Sequence, residues 1–171
     1  MEIAPAGPEN AADLHEVYAE AFGAPPLNEP PEAAARFRDD VLPTHAGRAG
    51  FTCLAAWDRG RIVGFAYGYT GDFGQWWTDQ IAAVVPPEVS AEWLGGHFEV
   101  VELAVRPSQE RRDIGSALHD ALLAGLLHRV ALLTATDDEN APARRLYHRK
   151  GWRVLAEEVF DGAVLMGRPL R

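Results

Sequence analysis

The chain has 171 residues, of which 47% are hydrophobic and 24% charged, and its formal net charge is −9. This length favours a single domain over residues 1–171, large enough to bury a proper core. The acidic balance argues against binding to nucleic acid, and no apolar run approaches the length of a membrane span. We therefore expect neither a nucleic acid nor a membrane as a partner.

The first part of the chain predicts a strand, two helices and a pair of strands. Glu2–Pro5 is typical of a short strand, and Glu9–Phe22 carries apolar residues at helical spacing. A turn-rich segment follows, and Pro31–Leu42 predicts a second helix. Phe51–Trp57 and Arg61–Tyr69 are typical of strands, and the glycine-containing turn between them predicts a hairpin.

Residues 71–96 form an atypical insertion that predicts an amphipathic helix and then, after a proline pair, a shorter one. The apolar positions of the two helices are Trp76, Trp77, Ile81, Val84 and Val85, and then Trp93 and Leu94. Aromatic walls bind amphipathic ligands, and Trp faces attract cations. Core packing is the competing explanation for each single Trp.

The stretch from Phe98 to Leu118 carries the strongest signal. An apolar run predicts a buried strand that ends at Arg106-Pro107, and helical spacing begins at Ile114. The first N–H groups of a helix lack an intrahelical partner and carry the positive end of the dipole, so this arrangement binds phosphate. Gly115 has no Cβ and lets a ligand approach the backbone.

The C-terminal part predicts a strand, a helix and two antiparallel strands. Val130–Leu133 is an apolar run, and Asn140 is a good N-cap for the helix that follows. Gly151 is typical of the C′ position of that helix. Trp152–Val159 and Ala163–Leu170 then predict a strand pair, which completes an α+β chain.

Residues 110–115, Glu-Arg-Arg-Asp-Ile-Gly, resemble the pyrophosphate-binding motif (Gln/Arg)-x-x-Gly-x-(Gly/Ala) of the GNAT superfamily of N-acetyltransferases. Gly115 and the apolar residue before it match the motif. Glu110 stands where Gln or Arg is usual, and Asp113 stands where Gly is usual. Both departures bring a carboxylate near a phosphate site, which is unfavourable unless the carboxylate points to solvent. Asp113 instead suits a helix cap.

Residues 140–152 resemble a second signature of the same superfamily, Asn-x-x-Ala-x-x-Leu-Tyr-x-x-x-Gly-(Phe/Trp), at every signature position. Asn140 and Tyr147 lie two helical turns apart, which predicts that they share one face. The resemblance implies that Asn140 contacts the pantetheine arm of acetyl-CoA and that the Tyr147 hydroxyl lies near the sulfur.

The resemblance implies the GNAT fold, a mixed and mostly antiparallel sheet of about seven strands flanked by about four helices. In that fold the strands at Phe98 and Val130 splay apart to admit the pantetheine. The resemblance also implies acetyl-CoA as cosubstrate. The cofactor-binding residues that it implies are Leu103, Ala104, Val105, Arg111, Arg112, Asp113, Ile114, Gly115, Ser116, Asn140, Ala143 and Tyr147. Among these, the N–H groups of residues 103–105 polarise the thioester carbonyl.

The same resemblance makes Tyr147 the candidate general acid, and two glutamates are candidates for the base. Glu99 and Glu102 lie on one strand, where alternation puts them on opposite faces. We place Glu99 first, because several superfamily members carry their base at that position. A carboxylate on an apolar strand is expected to have a raised pKa. The alternatives are structural glutamates, His97 as base, or attack by an already neutral amine that needs no base.

The charge is distributed unevenly. Residues 1–100 carry 15 acidic and 5 basic side chains, whereas eight of the 16 basic residues fall in 106–112 and 144–153. A basic rim suits the phosphates of coenzyme A, and an acidic first half suits a cationic amine. Solvation of an exposed surface explains the acidic residues equally well.

Together these patterns predict an acetyltransferase that acts on a primary amine of a small molecule, with the insertion at 71–96 shaping the acceptor pocket. A protein or peptide N-acetyltransferase is one alternative. A degenerate domain that binds acyl-CoA or a protein partner without catalysis is another. Exposed sheet edges pair in this family, so the resemblance also allows a homodimer.

Further residue patterns bear on a reactive cysteine, a metal site, nucleotide binding and the cellular compartment. Cys53 lies in an apolar run without a neighbouring base, which predicts a core thiol. His119, His128 and His148 lack the spacing of a metal site, so we predict no metal. The glycine patterns of kinases and nicotinamide dehydrogenases do not occur. The N-terminus lacks the pattern of a signal peptide, so we expect a cytoplasmic protein.

Overall fold

The structure, a computed structural model, describes residues 1–110 and 112–171. The described residues form two compact units. The first unit is Met1–Tyr69 with Val101–Gly125, and the second unit is Thr70–Val100 with Leu126–Arg171. In the described part of the chain, no helix is both long enough and apolar enough to cross a membrane.

The strands of the described residues form one seven-stranded sheet. They are β1 (Glu2–Pro5), β2 (Thr52–Asp58), β3 (Arg61–Gly71), β4 (His97–Val105), β5 (Val130–Thr136), β6 (Arg153–Phe160) and β7 (Ala163–Pro169). Their order across the sheet is β1-β2-β3-β4-β5-β7-β6. The pairs β1–β2, β2–β3, β5–β7 and β6–β7 are antiparallel, whereas β4 and β5 pair in parallel at Phe98 with Ala131 and Glu99 with Leu132. The mixed, mostly antiparallel sheet that the resemblance implies is confirmed.

The helices are α1 (Ala11–Gly23), α2 (Pro31–Arg36), α3 (Leu42–Ala46), α4 (Trp76–Val84), α5 (Pro87–Trp93), α6 (Ile114–Leu123) and α7 (Pro142–Arg149). These are more helices than the resemblance implies, because the insertion contributes α4 and α5, where the sequence predicts them. A π-helical turn, Phe37–Val41, joins α2 to α3. Pro43 comes shortly after this turn. Because the π-helical turn is wider than an α-helical one, it accommodates the proline ring and the missing N–H of Pro43. The helical path therefore continues beyond the predicted end at Leu42.

In the first unit, α1 and the helical segment after it cover one face of β2, β3 and the end of β4. Leu14 and Val17 of α1 pack with Phe37 and Leu42. Cys53 lies in the same core as a free thiol, and burial raises its pKa to about 12, as expected of a core residue.

Helix α6 lies close to β3 because the strand carries Gly64 at the contact. A Cβ at Gly64 would lie 2.9 Å from the Ala104 carbonyl oxygen, 3.2 Å from Leu118 and 3.3 Å from Ile114. These distances leave no room for a side chain. The absence of a Cβ at this position therefore sets how closely the N-terminal end of α6 approaches the sheet.

In the second unit, the two insertion helices cover the strands β5 and β7. Ile81 of α4 and Trp93 of α5 are buried against Leu132 and Leu165. The β6–β7 hairpin turns at Gly162, whose φ is 67°, as the predicted strand pair requires.

Candidate active site

Arg106 fixes the point at which the chain leaves β4. Its side chain is buried, and its Nε donates a hydrogen bond to the Ile62 carbonyl oxygen at 2.8 Å. Its Nη atoms contact Glu20 at 2.5 Å and Glu16 at 3.3 Å, both on α1. The 3₁₀ turn Pro107–Gln109 follows directly and leads toward α6. The start of the loop is therefore anchored to a helix and a strand of the first unit.

Asp113 precedes α6 with a left-handed backbone, φ 58° and ψ 18°. The N–H of Ala117 donates to the Asp113 carbonyl at 3.0 Å. The N–H groups of Ile114, Gly115 and Ser116 lie before this bond and have no partner within the helix. Left-handed backbone favours glycine, and Asp is one of the few other residues that tolerate it. This geometry explains why the motif has Gly here and how Asp113 replaces it.

The prediction that Asp113 caps α6 with its side chain is wrong. Asp113 occupies the N-cap position, but its side chain makes no capping hydrogen bond. Capping residues normally have an extended backbone, which aims the side chain at the helix start. The left-handed backbone of Asp113 does not aim its side chain at the start of α6. The side chains of Asp113 and Glu110 are exposed to solvent. Arg111, predicted to bind the cofactor, lies outside the described residues.

The expectation of a basic rim needs correction, because several of its members are engaged within the protein. Arg106 is buried against α1, and Arg144 is buried with its Nη1 donating to the Thr136 carbonyl at 2.8 Å. Arg112 is half-exposed and contacts Asp58 at 3.5 Å. Arg106 and Arg144 donate to backbone carbonyls and Arg112 contacts the side chains of Asp58 and Gln109, so the three are less available to phosphate than the sequence pattern indicates.

Leu103, Ala104 and Val105 are the last residues of β4. Ala104 is buried in the core of the first unit, and Leu103 and Val105 are partly buried. The role of their N–H groups on a thioester carbonyl stays a prediction.

Asn140 does not cap α7, contrary to the sequence prediction. The helix begins at Pro142, and Ala141 is its N-cap with φ −61° and ψ 142°. Proline fixes its own φ and disfavours helical backbone at the residue before it, so Pro142 determines the helix start. The N–H of Asn140 instead donates to Asp138 Oδ1 at 2.9 Å.

Because Asn140 precedes the helix, its predicted shared helical face with Tyr147 is also wrong. Asn140 and Ala143 are both exposed, whereas Tyr147 is buried. The two exposed positions are accessible to a ligand, and the basis for assigning them to the pantetheine is the motif alone.

Tyr147 is held where α7 ends. Gly151 has φ 84°, and its N–H donates to the His148 carbonyl at 3.2 Å. The N–H of Trp152 donates to the Tyr147 carbonyl at 3.0 Å, and the two rings lie 5.8 Å apart. This is a Schellman ending with its usual apolar contact, and the prediction of Gly151 at C′ is confirmed.

The two candidate bases have different surroundings. Glu102 is partly buried on β4 in the first unit, and burial together with repulsion from Glu29 raises its pKa to about 8. A carboxyl group with this pKa exchanges protons near neutral pH, as a general base must. Glu99 belongs to the second unit and is 4% exposed. For Glu102, the raised pKa that is expected of a carboxylate on this strand is found.

Sequence reasoning missed a cleft of about 630 Å³ in the first unit. The cleft is lined by the end of α1, the turn segment before α2 and the first residues after β4, and it includes Tyr18, Glu20, Glu29 and Pro107. Burial raises the pKa of Tyr18, and the charges of Glu102 and Glu29 raise it further. The acidic balance of the first half was the only sequence signal for this site.

The aromatic residues of the insertion have different roles. Trp93 is buried beneath the guanidinium of Arg153, 5.3 Å from the ring centroid. Trp76 is exposed and stacks on Phe160 at 5.8 Å. Their contribution to an acceptor pocket stays a prediction.

His97 is a weak candidate for the base. It is buried, and its Nδ1 accepts a hydrogen bond from the Gly95 N–H at 3.1 Å. Burial lowers its pKa to about 4. A histidine with this pKa is neutral at pH 7, and its packing against Gly71 indicates a structural role.

Comparison with known proteins agrees with this geometry. The family model of the acetyltransferase (GNAT) family matches residues 11–152. A GCN5-like protein acetyltransferase of Mycobacterium tuberculosis is 37% identical over 98 residues, which are 53% of this chain and 48% of that protein. The chain therefore spans about half the length of the curated relative that it matches.

Two solved structures share the fold over nearly the whole chain. Aminoglycoside 6′-acetyltransferase type Ii superposes with a TM-score of 0.67 at 16% identity, over 100% of this chain and 98% of that one. The PaiA N-acetyltransferase from Thermoplasma acidophilum, solved in complex with coenzyme A, superposes with a TM-score of 0.62 at 14% identity, over 98% of each chain. At these identities the likeness shows the fold.

Proposed function

The chain belongs to the acetyltransferase (GNAT) family, and we propose that it transfers the acetyl group of acetyl-CoA to a primary amine of a small molecule. The observation that carries the proposal is the start of α6. There the left-handed Asp113 precedes three N–H groups without a helical partner, those of Ile114, Gly115 and Ser116. A helix start of this kind binds phosphate, so we assign the pyrophosphate of coenzyme A to these groups.

The proposal gives the other motif residues one task each. The N–H groups of residues 103–105 polarise the thioester carbonyl, and Arg111 and Arg112 are assigned to the phosphates by the motif alone, since Arg112 contacts Asp58. Asn140 and Ala143 contact the pantetheine arm, and their exposure supports this assignment.

In the proposed reaction, the amine nitrogen attacks the thioester carbonyl carbon and the carbon–sulfur bond breaks. The Tyr147 hydroxyl gives its proton to the departing thiolate, and the surplus proton of the amine passes to a carboxylate. We assign that carboxylate to Glu102 before Glu99, because its pKa of about 8 suits proton exchange near neutral pH. If the amine arrives neutral, its surplus proton passes to solvent after the attack and Glu102 has no catalytic role.

The acceptor class rests on the cleft in the first unit. Its volume of about 630 Å³ lies in the range of small-molecule sites. One relative is named a protein acetyltransferase, and one solved structure is an aminoglycoside acetyltransferase, so related chains carry both acceptor types in their names. Glu20 is paired with Arg106, so the acidic group of the lining that supports a cationic small molecule is Glu29.

A degenerate domain that binds acyl-CoA without catalysis is the second candidate, and Glu110 and Asp113 are the residues that favour it. The backbone of Asp113 supports the enzyme instead, since it has the left-handed conformation for which the motif uses glycine.

The proposal is tested by measuring release of the coenzyme A thiol from acetyl-CoA across a library of primary amines. Thiol release that depends on an amine and produces the N-acetyl product supports the enzyme. Stabilisation by acetyl-CoA with no turnover on any amine or peptide supports the degenerate domain and overturns the enzyme.

A further inference from the structure

Arg106 is a buried cation directly after β4, and its partners lie on two other elements of the first unit. Its side chain is 2% exposed, and its Nε donates to the Ile62 carbonyl oxygen of β3 at 2.8 Å. Its Nη1 contacts Glu20 at 2.5 Å and its Nη2 contacts Glu16 at 3.3 Å, both on α1. Its backbone N–H donates to the Val63 carbonyl at 2.9 Å. The main chain and the side chain of this one residue are therefore both held in place.

Packing alone does not explain a cation at this position. Burial of a charged group is costly, and apolar side chains of similar volume often stabilise a core equally well. Glu16 and Glu20 are four residues apart on α1, hence on one face, and both contact the same guanidinium. A guanidinium fork differs from apolar packing because each of its contacts is directional. The contacts of Arg106 therefore define how α1 lies against the residues that follow β4.

The segments that Arg106 joins have different places in the candidate active site. Glu20 on α1 lines the cleft of about 630 Å³, and Pro107 and Ser108, which follow Arg106 in the chain, line the same cleft. The 3₁₀ turn that begins at Pro107 leads to Asp113 and the start of α6. A shift of Arg106 therefore displaces the cleft lining and the approach to α6 together.

We propose that Arg106 is a positioning residue for acetyl-CoA, which transmits the position of the cleft wall at Glu20 to the N–H groups at the start of α6. This inference rests on the proposed function, because it takes those N–H groups as the binding site of the cosubstrate. The guanidinium acts through the backbone and not by contact, since it donates to Ile62, Glu16 and Glu20. A displaced N–H group loses its hydrogen-bond geometry, so affinity depends on how the chain before α6 is held.

The test is calorimetric titration of acetyl-CoA into the full native chain, Arg106→Met, Glu20→Gln and the double variant. We expect Arg106→Met to weaken acetyl-CoA binding about tenfold and Glu20→Gln about threefold. In the double variant, Glu20→Gln is expected to add no further loss, because its effect passes through Arg106. Arg61→Met is the matched control and is expected to bind like the native chain. Arg61 also contacts Glu20, at 3.8 Å, but its side chain is exposed.

Thermal unfolding separates positioning from a structural role, because it gives a temperature at which each variant is folded. A merely structural Arg106 lowers Tm and leaves the affinity of the folded variant for acetyl-CoA unchanged, which overturns the inference. Arg106→Lys keeps the charge without the fork and is expected to recover part of the affinity. If Arg106→Met does not fold, Glu20→Gln decides the question, since the Glu20 side chain is half-exposed and Glu16 still contacts Arg106.

Native affinity for acetyl-CoA in a folded Glu20→Gln overturns the inference, as does an additive loss in the double variant. Thiol release from acetyl-CoA with an amine, together with unchanged affinity in every variant, upholds the proposed function and overturns the inference. The expected losses of affinity without thiol release on any amine support the role of Arg106 and contradict the proposed function.

Discussion

The backbone N–H of Trp152 donates to the carbonyl of Tyr147 at 3.0 Å, and the rings of these two residues lie 5.8 Å apart at an interplanar angle of 59°. Gly151 makes this possible, because its φ of 84° reverses the chain between them. The Tyr-x-x-x-Gly-Trp pattern thus encodes the local geometry that orients the proposed general acid.

Tyr147→Phe is predicted to lower kcat about 10²-fold, since general acid catalysis typically contributes this much. The ring and its contact with Trp152 remain, so we expect a Tm close to that of the native chain. The measurement is steady-state kinetics with an amine that the native chain acetylates, together with thermal unfolding. Unchanged kcat would assign Tyr147 to packing alone. Trp152→Phe, which alters the same contact and leaves the hydroxyl, serves as the control.

Asp113→Gly is predicted to strengthen acetyl-CoA binding. Glycine adopts the left-handed backbone of this position without strain, and the substitution removes a carboxylate beside the proposed phosphate site. Asp113→Val is predicted to destabilise the fold by about 1–2 kcal/mol, because a β-branched residue is strained at positive φ. Calorimetry measures the affinity and urea unfolding the stability. Weaker binding by Asp113→Gly would show that the carboxylate assists the cofactor.

Glu102 is predicted to make the stability of the protein depend on pH. Its folded pKa is about 8 against an ordinary value of 4.5, so the folded state favours the protonated form. The resulting stabilisation is fully present below the ordinary value and is lost as pH rises through about 8. Glu102→Gln removes this dependence, so the variant gains stability relative to the native chain as pH rises. Urea unfolding between pH 5 and 9 measures the difference.

A substitution at Glu29, whose charge acts on Glu102, provides a second test of this pH dependence. Glu29 repels Glu102, the Tyr18 hydroxyl is hydrogen-bonded with Glu29, and the charges of Glu102 and Arg36 also act on Tyr18. Glu29→Gln is therefore expected to move the pH dependence to lower pH, and Glu32→Gln is expected to leave it in place. A native chain whose stability is flat across this range contradicts the buried position of the Glu102 carboxyl.

Gly64→Val is predicted to destabilise the protein by about 1–3 kcal/mol, the usual effect of forcing extra atoms into a packed site. The new side chain meets the Ala104 carbonyl oxygen at 2.9 Å and has no room beneath α6. Because Ile114 is displaced with the helix, acetyl-CoA binding is expected to weaken as well. Gly47→Ala is the control, since its Cβ meets only an ordinary contact at 3.6 Å. Urea unfolding and calorimetry report the two effects.

The elements with local signals were predictable from the sequence. Strand β1 occupies Glu2–Pro5, α6 begins at Ile114 and Gly151 ends α7, as the sequence predicts. Each of these features depends on neighbouring residues: a short apolar stretch for β1, apolar residues at helical spacing for α6 and a glycine at positive φ for the end of α7. Asn140 shows the limit of such signals. Two helix-start signals compete there, and the covalent constraint of Pro142 prevails over the optional hydrogen bond of an asparagine cap.

The electrostatic cluster of Tyr18, Glu29 and Glu102 was not predictable, because its members are far apart in sequence. Tyr18 lies on α1, Glu29 in a turn segment and Glu102 on β4, and no spacing rule connects them. The same holds for Arg106, which a basic-loop pattern assigns to phosphate. Its guanidinium is buried against the α1 glutamates, a contact that only the folded chain reveals.

The central claim, that the loop before α6 binds acetyl-CoA, is tested most directly by calorimetric titration of the native chain and of Gly115→Trp with acetyl-CoA. The account predicts one-site binding by the native chain and loss of binding in the variant, whose indole covers the N–H groups at the helix start. Thermal unfolding of Gly115→Trp confirms that the variant is folded. No binding by the native chain, or equal binding by a folded variant, would contradict the account.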